Sequence, residues 1–80
     1  YEVELKAAEA AVRKAEAVLR HEARQASRIE SLASTNTASP AQVETAVAEL
    51  MQARADLEAR KADRDRAALK LDFTKITAPI

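Results

Sequence analysis

The sequence predicts an all-α fold of two long antiparallel helices forming a coiled-coil hairpin. Three observations point there. The 80 residues contain no Gly, only two Pro and 2% aromatic residues, which leaves neither the turns of a β fold nor the bulky side chains of a globular core. Charged residues make up 32% of the chain, and with the abundant Ala and Leu they match the composition of long helices and coiled coils. Apolar residues, finally, recur at alternating steps of three and four, the a/d seam of a heptad pattern.

The first helix is expected over residues 1–34. Its seam runs through Leu5, Ala8, Val12, Ala15, Leu19, Ala26, Ile29 and Ala33, with Glu22 as the single interruption. Such a helix is about 50 Å long and cannot bury its stripe alone. The stretch RIESLASTNTAS, residues 28–39, then breaks the pattern. Ser34, Thr35, Asn36 and Thr37 are poor helix formers, and Asn36 is the residue there that tolerates a left-handed turn where Gly is absent. Ser39, Pro40 and Gln42 read as N-cap, first helical position and capping-box partner, the cap alone contributing about 1 kcal/mol. The turn is therefore placed at 35–39.

The second helix is expected over residues 40–72. Val43, Ala46, Leu50, Ala53, Leu57, Ala67 and Leu71 continue the seam, interrupted by Arg60 and Arg64. A turn this short folds the second helix back on the first, which sets Glu9 opposite Arg64 and Glu22 within a turn of Arg54. Glu2 with Lys6, Glu9 with Arg13, Glu16 with Arg20 and Asp56 with Arg60 stand at the i to i+4 spacing of ion pairs, which contribute a few tenths of a kcal/mol each. An Ala-rich seam buries little apolar area per turn. The hairpin is thus expected to be marginally stable and to depend on neighbours.

Several functions have no support in these residues. A formal net charge of +0 provides no field for non-specific nucleic-acid binding. There is no Cys for a disulfide framework or thiolate metal site. His21 has no acidic pair at metal-ligand spacing and reads as a solvated helix residue. A phosphate-cradling loop needs Gly, and the carboxylates are spread along helix surfaces. No enzyme activity, metal or cofactor is expected. No apolar run reaches the roughly 20 residues of a membrane span, and the chain reads as part of a larger protein.

The residues around the turn are more informative. Arg28 and Leu32 lie one helical turn apart, outside the seam, and Ser39 stands across the turn from them. Taken alone they fit a solvated charge, tip packing and a helix cap.

Their spacing, R-x3-L-x6-S, resembles the tip motif of periplasmic adaptor proteins (membrane fusion proteins, the HlyD superfamily) of tripartite efflux pumps. The closing LDFTKITAPI, residues 71–80, resembles the segment by which that family leaves its hairpin for the second half of a lipoyl-like domain. Tyr1 resembles the residue at which the first half of that domain gives way to the hairpin. The resemblance implies a hairpin over 1–72 and the start of the second lipoyl half over 73–80. It further implies a subunit of an RND-type multidrug efflux pump, in the periplasm and associated with the inner membrane through other parts of the protein. Its tip would dock to a TolC-like outer-membrane channel through Arg28, Leu32 and Ser39, other domains would engage the inner-membrane RND transporter, and copies would associate side by side into a tube. An adaptor of an ABC-type exporter or type I secretion system, or a purely structural coiled-coil spacer, is the alternative.

Overall fold

The structure, a computed structural model, describes the backbone of residues 1–77 and the side chains of residues 1–72. It is a two-helix antiparallel hairpin: α1 spans Glu2–Ser34 and α2 spans Pro40–Thr77, and no strand occurs among the described residues. The molecule is a rod of 68 × 14 × 12 Å.

The heptad seam is the contact between the helices. All six buried apolar residues, Val12, Ala15, Ala26, Ala46, Ala53 and Leu57, occupy a or d positions, and the other apolar seam residues are half-buried. Val12, Ala15 and Leu57 pack together, with Leu19 against them. Four of the six buried residues are Ala, so the helices approach closely but gain little from the hydrophobic effect. The accessible surface is 6020 Å², against about 4,700 Å² for a compact protein of this mass. The excess is the cost of being a rod rather than a globule.

The expected register holds. Glu9 and Arg64 line one hollow of about 180 Å³. The ion pairs expected from spacing mostly do not form. Arg64 turns to its neighbour Asp65 at 3.1 Å instead of reaching Glu9. Glu22 lines a hollow with Glu49, Gln52 and Asp56 and makes no ion pair with Arg54. Of the four i to i+4 pairs only Asp56–Arg60 is present, at 3.5 Å. Lys6, Arg13 and Arg20 pair with nothing among the described residues. The physical reason is that exposed long side chains gain so little from pairing that rotamer freedom and hydration compete on equal terms.

The second difference is the end of α2, which continues to Thr77, past the expected end at 72. Nothing between Phe73 and Thr77 stops a helix, since that segment holds neither Pro nor Gly. The segment expected as a lipoyl-like start, 73–80, has helical backbone over 73–77, and its residues 78–80 lie outside the described residues.

Candidate functional site

The tip is built by two interlocking end motifs. Asn36 has φ 62°, the left-handed conformation that a non-Gly residue adopts at least cost when it is Asn. It stands one residue past Thr35, the C-cap of α1. The Asn36 N–H donates to the Ala33 carbonyl at 3.0 Å and the Thr37 N–H to the Leu32 carbonyl at 2.8 Å. This is a Schellman motif with Asn in the usual Gly position. The Leu32 carbonyl also accepts the Thr35 and Ala38 N–H groups, at 3.2 and 3.3 Å, and the Thr35 hydroxyl at 3.0 Å. One backbone oxygen thereby gathers the whole turn.

On the far side the capping box forms as the sequence implies. The Ser39 N–H donates to Gln42 Oε1 at 2.8 Å, the Gln42 N–H donates to Ser39 Oγ at 3.2 Å, and the Ser39 carbonyl accepts the Val43 N–H at 3.2 Å to start α2. Orphan donors at the helix start are satisfied in both directions.

Arg28 and Leu32 come together on one face of α1, both exposed, Leu32 at 39%. An Arg28 Nη1–H donates to Gln25 Oε1 at 3.2 Å, which leaves the remaining guanidinium donors to the solvent side. Ser39 is exposed, but its hydroxyl oxygen already serves the cap. The structure thus separates the three residues by role: two outward side chains, and one that shapes the turn presenting them.

Sequence reasoning missed the hollow beside them. About 340 Å³ opens between the helices, lined by Gln25, Ile29, Ala41, Gln42, Thr45 and Glu49 with Ala46. Gln25 is the acceptor for Arg28 and Gln42 is the partner of Ser39, so both tip residues are hydrogen-bonded to walls of one recess. Gln25 and Gln42 precede the seam residues Ala26 and Val43, flanking positions where an antiparallel pair brings two side chains together; that was the available signal.

Among the described residues no group of three or more His, Cys, Asp or Glu side chains could hold a metal ion, His21 is exposed, and no helix is long and apolar enough to cross a membrane. The tip presents a forked cation, an apolar side chain and a shallow recess walled in part by the Gln25 and Gln42 amides. Compared with family models, curated proteins and solved structures, the chain matches none.

Proposed function

We propose that this chain is the α-hairpin of a periplasmic adaptor subunit of a tripartite RND-type efflux pump, docking by its tip to a TolC-like outer-membrane channel and linking it to the inner-membrane transporter. The observation that carries the reading is the joint exposure of Arg28 and Leu32 on one face of a rigidly specified turn, at the R-x3-L-x6-S spacing of the adaptor tip motif. The LDFTKITAPI exit adds to it from the sequence.

In this reading Arg28 engages carboxylates or helix-end carbonyls of the channel, Leu32 fills a groove between its helices, and Ser39 acts through tip geometry. The protein works in the periplasm, associated with the inner membrane through parts outside this chain, and its hairpins stand side by side as the wall of a conduit. The segment couples two membrane proteins and catalyses nothing.

The test is in-cell cross-linking of the full-length protein to its outer-membrane channel, comparing wild type with Arg28→Asp at matched expression. Loss of the cross-link with normal folding supports docking by the tip. An undiminished cross-link makes the hairpin a spacer.

A further inference from the structure

The walls of the recess beside the tip have half of their hydrogen-bonding capacity already assigned. Arg28 can only donate, so the Gln25 amide turns its oxygen to it, at 3.2 Å, and Gln25 Nε2 is left over. The Ser39 N–H imposes the same on Gln42, whose Oε1 accepts at 2.8 Å, and Gln42 Nε2 is left over in turn. The Thr45 hydroxyl donates its proton to the Ala41 carbonyl at 3.0 Å, which leaves its oxygen as an acceptor. Glu49 adds a carboxylate that makes no ion pair among the described residues. The floor is apolar, with Ile29 half-buried and Ala46 buried. Gln25 also stands three and seven residues before Arg28 and Leu32, so it shares their flank of α1. The recess therefore opens beside the two outward side chains.

We infer that this recess receives one carboxamide side chain, Asn or Gln, from the partner helix that docks on Arg28 and Leu32. The inference rests on the docking reading proposed above and adds to it a pocket that the three tip residues do not form. The recess offers donors and acceptors together, and a carboxamide offers both in return: an oxygen for the Nε2 groups of Gln25 and Gln42, and an NH2 for the Glu49 carboxylate and Thr45 Oγ1. The other side-chain classes each leave something unmatched. Lys or Arg can only donate and is met by two amide donors. A carboxylate is met by the like charge of Glu49. An apolar side chain would take water from Glu49 and give nothing back. A Ser or Thr hydroxyl is too small for a hollow of about 340 Å³.

The test is the affinity of the full-length protein for its solubilised outer-membrane channel, measured by biolayer interferometry on variants that each change one recess group. Gln42→Glu keeps the oxygen that serves the Ser39 N–H, so α2 starts as before, but loses the Nε2 donor. It is expected to weaken binding about fivefold, the worth of one hydrogen bond, with the melting temperature no lower. Gln25→Glu, which keeps the acceptor for Arg28, is expected to do the same from α1. Glu49→Gln keeps an acceptor and should stay within about threefold of wild type. Tighter binding by either Gln→Glu variant, or a larger loss with Glu49→Gln, would mark a cationic occupant and overturn the carboxamide; tighter binding by Glu49→Gln would mark an anionic one and do likewise. Unchanged binding by both Gln→Glu variants, with Arg28→Asp weakened, overturns the recess and keeps the docking reading. The converse, both Gln→Glu variants weakened and Arg28→Asp without effect, keeps the recess and sinks the reading of the tip motif. Absence of wild-type binding sinks both.

Discussion

Ser39 and Gln42 hold each other twice, the Ser39 N–H on Gln42 Oε1 at 2.8 Å and the Gln42 N–H on Ser39 Oγ at 3.2 Å. This pair fixes where α2 begins, and hence the register of every seam contact below it. Ser39→Ala removes the acceptor and leaves a helix-start donor to water, at about 1 kcal/mol. For a chain of this size that lowers the melting temperature by about 4–8 °C. Circular dichroism melts of Ser39→Ala and Ser39→Asp check it, since Asp restores the cap acceptor and should recover most of the loss.

Asn36 sets the other half of the turn. At φ 62° a β-branched side chain meets its own backbone, so Asn36→Val is expected to cost about 1–2 kcal/mol. Asn36→Gly removes that strain, at some entropic cost in the unfolded chain, and is expected to leave the melt within about 0.5 kcal/mol of wild type. Equal losses for both would mean that the Asn36 side chain, not its backbone angle, holds the turn.

The seam, the turn and its two end motifs were legible because each is a local rule: heptad spacing, a left-handed Asn, a reciprocal box. The exposed charges were not. Glu9 with Arg13 and Asp56 with Arg60 have the same spacing, yet only the second pair forms, and Arg60 also approaches Asp63 at 3.8 Å. That region of α2 crowds Asp56, Asp63 and Asp65 among four arginines, Arg54, Arg60, Arg64 and Arg66, so a partner is always near; α1 spreads its charges into separate rows. Arg28 and Leu32 were picked out by spacing, but the recess beside them was not, because it exists only where two helices distant in sequence meet.

Glu22 is the seam's one acidic member, half-buried and lining a hollow with Glu49 and Asp56. Its position is one where Leu would bury apolar area. Glu22→Leu is therefore expected to stabilise the hairpin by about 1 kcal/mol, measured as a raised urea midpoint with an unchanged slope. A lower midpoint would show that Glu22 is held by favourable contacts the seam pattern does not reveal.

Stability and docking separate at the tip. The Leu32 carbonyl organises the turn, but its side chain is 39% exposed and can be changed without touching that oxygen. Leu32→Ser is expected to shift the melt by under about 0.5 kcal/mol, as exposed substitutions do, while removing the apolar contact that the proposed channel docking needs. Ser39→Ala is the opposite case: it loses stability through the cap and keeps both outward side chains, so docking measured well below its melting temperature should survive. The informative comparison is channel cross-linking by both variants at a temperature where each is fully folded. Loss with Leu32→Ser and retention with Ser39→Ala assign recognition to the outward face of α1. The reverse order would mean that the turn's shape, rather than Leu32, is what the partner reads.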